Sequence, residues 1–171
     1  PSDVVPFERV PEMKAREITR EACEAIVSQR FDHVRLNLAN GDMVGHTGDL
    51  AATVRAMEVV DACVELLEKA TIQAGGTLVI TADHGNAEEM FQRDRKRGGY
   101  KRRADGTLEV STAHSVNPVP FVLVDPANSW ELADLPKAGI AHLGPTLLQL
   151  AGFSPPASML SPLLQRREDR Q

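Results

Sequence analysis

Asp42 and His46 stand four residues apart in the stretch Asn40–Gly48, which reads NGDMVGHTG. That spacing places two side chains on one face of a helical turn, so both can reach a single ion. The flanking glycines let the backbone approach a ligand closely. A second pair, Asp83 and His84, lies in Thr81–Glu88 (TADHGNAE). Neighbouring residues point apart along a strand, but at a strand exit the chain turns and both can face one site. His114 follows in Thr112–Pro120 (TAHSVNPVP), on a loop that runs into a strand. Each stretch alone has a plainer reading: a turn-capping Asp, a hydrogen-bonded surface His. Together, two Asp and three His form an oxygen-plus-imidazole set that suits Mn2+, Zn2+ or a similar divalent ion better than Ca2+ or a thiolate site. Five ligands exceed what one tetrahedral site needs, and two neighbouring ions would use them. Such a pair can hold a phosphate and stabilise both the attacking and the leaving oxygen of an in-line displacement. Asn40 and Asn86 are polar groups that could support the ligands, or turn residues beside glycine. His33 and His142 lack an acidic companion at suitable spacing, although His33 follows Asp32, and read as structural.

These residues need a scaffold. Pro11-Glu12 opens a helix that continues through Ala15, Ile18, Ala22, Ala25 and Ile26. Val34–Leu38 is a short strand candidate ended by Asn40-Gly41. A long helix starts near Asp49, with Leu50, Val54, Met57, Val60, Val64 and Leu67 as its apolar stripe, and Gly75-Gly76 ends it. Leu78–Thr81 is a compact strand with the Asp83-His84 loop at its exit. Ala87–Gln92 is a short helix candidate, and 93–106 a polar, basic surface excursion. Pro120–Val124 is a further strand, and Gly144-Pro145 opens a helix that stops at Gly152. Strands alternating with helices predict an α/β fold: a three-layer, mostly parallel sheet with helices on both faces. Ligands of such sheets gather at the carboxyl ends of the strands. Residues 1–152 are expected to form the domain portion and 153–171 a loose tail.

A chain of 171 residues, with 42% hydrophobic and 25% charged residues, can build one domain with a real core. Its net charge of -5 argues against nucleic acid or an anionic membrane as partner. No apolar run is long enough for a membrane span and no signal peptide is evident. Cys23 and Cys63 fall in helical segments and read as reduced core thiols of a cytoplasmic protein. The basic residues Arg93, Arg95, Lys96, Arg97, Lys101, Arg102 and Arg103 read as a solvated loop, with Tyr100 the lone aromatic beside them. The chain opens on Pro1-Ser2-Asp3 without helix or strand signal, which reads as a cleaved or truncated start.

The three ligand-bearing stretches, with Pro11–Ala15 and Ala141–Gly152 (AHLGPTLLQLAG), resemble the cofactor-independent phosphoglycerate mutases of the alkaline phosphatase superfamily. The resemblance covers nearly the whole chain and is weakest in the basic loop and the tail. It implies one metal held by Asp42, His46 and His114, and a second held in part by Asp83 and His84. In the family an Asp and a nucleophilic Ser near the N-terminus complete the second site, and an inserted domain holds the substrate. None of that upstream sequence is present, and neither Ser111 nor Ser115 sits in the family's nucleophile context. The implied chain is therefore the C-terminal part of an alkaline-phosphatase-like domain, incomplete by itself and inactive alone. Its implied cofactors are two divalent ions, Mn2+ first and Zn2+ or Co2+ next, without 2,3-bisphosphoglycerate. Its implied partners are a phosphoglycerate substrate and the missing N-terminal part, in cis or in trans. Two other readings stay open: a stand-alone binuclear metallophosphatase using water as nucleophile, and a non-catalytic metal-binding module.

Overall fold

The turn after Pro11 delivers the chain into α1 (Ala15–Val27), which buries Ala15, Thr19 and Ala22. The computed structural model describes residues 6–167; Pro1-Ser2-Asp3, and residues 168–171 of the expected tail, lie outside the described residues. Helix α2 (Asn40–Gly45) is short and carries the first ligand pair. Helix α3 (Leu50–Gln73) is the longest element. Asp49 caps it by accepting the Ala52 N–H at 2.9 Å. At its far end Gly75, at φ +72°, turns the chain out, and the Gly76 N–H returns to the Thr71 carbonyl.

The buried face of α3 differs from the expected stripe. Leu50, Val54 and Met57 are exposed, whereas Ala52, Thr53, Ala56, Cys63, Leu67, Ala70 and Thr71 are buried. Helix α1 packs along α3 and α2 sits against it, and mostly small side chains at those contacts let the helices approach. One apolar cluster joins Met13, Val44, Ala52 and Ala56, with Phe7 and Met43 against it. Val44 is fully buried, which stabilises the fold by about 1.5–3 kcal/mol and seats α2, hence the first ligand pair, on the helical core. Both cysteines are free thiols.

Strand β1 (Leu78–Thr81) pairs antiparallel with β2 (Phe121–Val124), Leu78 opposite Val124 and Thr81 opposite Phe121. The described strands form two small antiparallel sheets, so these residues do not build the expected mostly parallel sheet among themselves. A parallel pair needs a crossover, usually helical. Here the chain between β1 and β2 contains no helix, because Ala87–Gln92, expected as one, is a turn followed by bridged strand-like chain. It enters an arm bridged at Phe91 with Val110, Arg93 with Tyr100 and Arg102 with Leu108, and comes back beside β1 in the opposite direction. Residues 34–38, expected as a strand, alternate between half-buried and exposed but join no ladder among the described residues.

Strand β3 (Trp130–Leu132) is followed by α4 (Leu143–Leu150) and β4 (Leu164–Arg166). β3 and β4 pair antiparallel, Leu132 opposite Leu164. The segment beyond residue 152, expected to be loose, thus carries an ordered strand. Leu163 and Leu164 are buried, the Leu163 N–H donates to Thr146 Oγ1 at 2.8 Å, and the Arg166 guanidinium lies 4.1 Å from the Trp130 ring centre. Its proline and charge content hid that anchoring. No described helix is long and apolar enough to cross a membrane.

Candidate metal centre

Helix α2 holds Asp42 in its first turn and His46 at its C-cap. One turn of helix sets Asp42 Oδ1 3.1 Å from His46 Nε2. His114 comes from the loop before β2, with its Nε2 3.1 Å from Asp42 Oδ1 and 3.1 Å from His46 Nε2. The three atoms form a near-equilateral triangle. Donors bound at about 2.0–2.2 Å from one ion stand about 3–3.5 Å from each other, so the triangle has the dimensions of one face of a coordination shell. The His46 ring is oriented from behind, because its Nδ1 lies 2.6 Å from the Thr112 carbonyl. A neutral ring that donates from Nδ1 leaves the Nε2 lone pair directed at the triangle. Without an ion, a carboxylate and two imidazole nitrogens meet there in a poorly paired cluster, so the donor set fits a divalent cation.

The exit of β1 brings up the second pair. The His84 ring stacks on His114, centroids 3.5 Å apart and planes inclined by 14°. His84 Nδ1 is buried, lacks a hydrogen-bond partner, and sits 4.0 Å from Asp42 Oδ1. Such an orphaned nitrogen beside a carboxylate is a further mark of a cation site. Asp83 Oδ1 lies 3.6 Å from His84 Nε2, and the Asp83 side chain is 85% exposed. Of the five candidate ligands, Asp42, His46 and His114 therefore form the tight set, His84 adjoins it, and Asp83 faces outward at its rim.

The two asparagines occupy different places. Asn86 is 5% exposed, and its Nδ2 donates to Asp42 Oδ1 at 2.9 Å. A side chain on Gly45 would collide with its Oδ1. Asn40 is 2% exposed and touches no candidate ligand atom in its hydrogen bonds; its Nδ2 donates to the Pro11 and Glu12 carbonyls at 2.8 and 2.9 Å. It moors the start of α2 to the turn before α1. His142 bonds the Ser161 carbonyl, and His33 is exposed.

Sequence reasoning gave no supporting role to three groups behind the ligands: the Thr112 carbonyl, Glu88, and Ser115, which it weighed only as a nucleophile. Glu88 Oε2 accepts the Asn86 N–H at 2.7 Å, and Oε1 accepts Asn117 Nδ2 at 3.0 Å and the Ser115 hydroxyl. Burial pushes the Glu88 carboxyl up, but the bonds from Ser115, Asn117 and the backbone prevail and hold it below the usual range. An acid at a fixed short offset after the Asp83-His84 pair was the one available signal.

Comparison with known proteins bears on this arrangement. A family model described as the metalloenzyme superfamily matches residues 1–155. The chain is 44% identical to a probable 2,3-bisphosphoglycerate-independent phosphoglycerate mutase of Leptospira interrogans, over 96% of this chain and 30% of that protein. It is 43% identical to the 2,3-bisphosphoglycerate-independent phosphoglycerate mutase of Trypanosoma brucei brucei, again over 96% of this chain and 30% of the relative. The chain thus spans about 30% of the length of the curated relatives it matches. A crystal structure of Leishmania mexicana phosphoglycerate mutase at low cobalt concentration superposes with a TM-score of 0.91 at 39% identity, covering 98% of this chain and 31% of that one. The fold is of the alkaline-phosphatase-like metalloenzyme kind, with mixed helices and strands and small sheets.

Proposed function

Because the chain belongs to the metalloenzyme superfamily, we propose that it is part of a cofactor-independent phosphoglycerate mutase that interconverts 3-phosphoglycerate and 2-phosphoglycerate. The observation that carries this reading is the meeting of Asp42 Oδ1, His46 Nε2 and His114 Nε2 at 3.1 Å, from helix α2 and a loop whose His114 lies 68 residues beyond His46. These three would hold one divalent ion. Asp83 and His84 would hold part of a second, completed by donors outside this chain. Mn2+ suits the oxygen-and-imidazole set best, with Zn2+ and Co2+ as alternatives. When bound, the ions supply positive charge that stabilises the transferred phosphoryl group and lowers the pKa of a coordinated hydroxyl.

The chain's own residues prepare that site. The Thr112 carbonyl fixes the ring of His46, and the Asn86 amide holds the Asp42 carboxylate. The phosphoryl group passes to a Ser hydroxyl that this chain does not supply, then returns to the other hydroxyl of the retained glycerate. 2,3-Bisphosphoglycerate takes no part. The β1–β2 pair and residues 34–38 would join a larger, mostly parallel three-layer sheet with strands from the rest of the enzyme, with 1–152 as this chain's share of the domain. A hydrophobic content of 42%, with no membrane-length helix among the described residues, is compatible with the cytoplasmic location proposed for the enzyme.

The test is a chimera. The matching 30% of the Leptospira interrogans protein is replaced by this chain, and mutase turnover is followed in a coupled assay with added Mn2+. Metal-dependent interconversion is expected, lost on His46→Ala, while the chain alone shows none. A folded chimera that binds metal and fails to interconvert the two phosphoglycerates overturns the reading. Release of phosphate from a generic aryl phosphate by the chain alone would instead favour a stand-alone phosphatase.

A further inference from the structure

The loops carrying His84 and His114 are joined in sequence only through the long arm between them, yet their rings stack at 3.5 Å. Some local contact has to set that register. Backbone pairing supplies part of it, since the Ser115 N–H donates to the Gly85 carbonyl at 2.8 Å. The β1–β2 ladder on one side and the Phe91–Val110 bridge on the other hold the two backbones near each other. The carboxylate of Glu88 adds a side-chain link between the two ligand-bearing loops themselves. Oε2 takes the Asn86 N–H on the His84 loop at 2.7 Å, while Oε1 takes the Ser115 hydroxyl and Asn117 Nδ2 on the His114 loop. The same Asn117 amide also reaches Glu89 Oε2 at 2.8 Å, and the Asn117 N–H reaches Ser115 Oγ at 3.3 Å.

We infer that Glu88 is a positioning residue that staples the His84 loop to the His114 loop and, through Asn86, steadies the Asp42 carboxylate. One side chain thereby reaches all three ligand-bearing stretches: the second and third directly, the first by way of the Asn86 side chain at 2.9 Å from Asp42 Oδ1. Gly85 makes room for it. A Cβ there would strike both Glu88 Oε1 and Ser115 Oγ, so the staple and any larger residue at 85 exclude each other. The residue itself lies at the surface and contacts no candidate ligand atom, so its effect is indirect. This inference rests on the reading of the site as a metal centre. Groups of this kind behind metal ligands typically alter affinity by about 10–100-fold when removed.

The experiment uses the chain itself and Co2+ alone as probe. Calorimetric affinity, the visible absorption band of bound Co2+, and the apo thermal midpoint are recorded for wild type, Glu88→Ala, Glu88→Gln and Ser115→Ala. Glu88→Ala is expected to weaken Co2+ binding by about tenfold or more and to change the shape of the band. Glu88→Gln keeps an acceptor for the Asn86 N–H but loses one for Ser115 and Asn117, so it should recover part of the affinity. Ser115→Ala, the mildest change, should weaken binding severalfold and covers the case in which Glu88→Ala does not fold. Variants with a lowered thermal midpoint but unchanged Co2+ affinity and band overturn the positioning role. Wild-type chain that fails to bind Co2+ overturns the metal reading itself, a result distinguishable from the first.

Discussion

Replacing Asn40 tests how the first ligand pair is held. Its amide donates to two carbonyls, Pro11 at 2.8 Å and Glu12 at 2.9 Å, from a position 2% exposed. Alanine removes both bonds. The Glu12 carbonyl keeps the Ala15 N–H at 3.1 Å, so it stays partly satisfied, and the greater loss falls on Pro11. The expected cost is about 1–3 kcal/mol, the range for leaving a buried polar group unpaired. Aspartate has almost the same shape but replaces a donor with an oxygen facing two carbonyl oxygens. At neutral pH that places an uncompensated charge in a buried site, at a cost of about 3–5 kcal/mol. The penalty carries a pH signature. The new carboxyl would have a raised pKa in the folded state, so the folded state holds its proton more tightly and the variant gains stability as pH falls through that value. Urea unfolding followed by circular dichroism at pH 7 and near pH 5 reads both effects; with m near 2 kcal/mol/M, each 2 kcal/mol moves the midpoint by about 1 M. The predicted order at neutral pH is wild type, then Asn40→Ala, then Asn40→Asp, with the last two converging in acid. Equal midpoints for all three at neutral pH, or an aspartate variant steadier than alanine, would refute the mooring role.

Two other changes probe the frame around the site. Thr146→Val removes a buried hydroxyl that accepts the Leu163 N–H at 2.8 Å and donates to the His142 carbonyl at 2.6 Å; a loss of about 1–3 kcal/mol and faster proteolysis within 153–162 are expected, and unchanged cleavage would show that β4 is held without it. Gly48→Ala sets a side chain at φ +76° against Val110, combining backbone strain with overpacking for about 1–3 kcal/mol or more; a thermal midpoint equal to wild type would show that the turn before α3 yields freely.

The parts of this molecule that local chemistry dictates were legible in the residues. Asp49 before an apolar run and Gly75 after it bound α3 where expected, and the β-branched run at Leu78–Thr81 forms β1. What packing decides was less visible. Leu50, Val54 and Met57 have helical spacing, but the neighbouring row of Ala52, Thr53 and Ala56 is buried because close contact with α1 and α2 favours small side chains. Strand direction was hidden too, since it depends on the arm bringing the chain back beside β1. At the site, Asp42, His46, Asp83, His84 and His114 stood out by type and spacing. Glu88 and the Thr112 carbonyl did not, because their part is defined by what they reach across the fold, and a backbone carbonyl leaves no trace in residue type at all.

The bridge between Gly85 and Ser115 closes the arm at its neck. Everything beyond that neck is an excursion that leaves and re-enters the structure at nearly one point. Doubling or halving a flexible excursion changes its closure entropy by only about 0.6 kcal/mol. The arm's tip, with its positive-φ Gly98, Gly99 and Gly106, is therefore the place where this chain can gain or lose residues, or accept a graft such as an epitope or a fluorophore-labelling peptide, while His84 and His114 keep their stacked register.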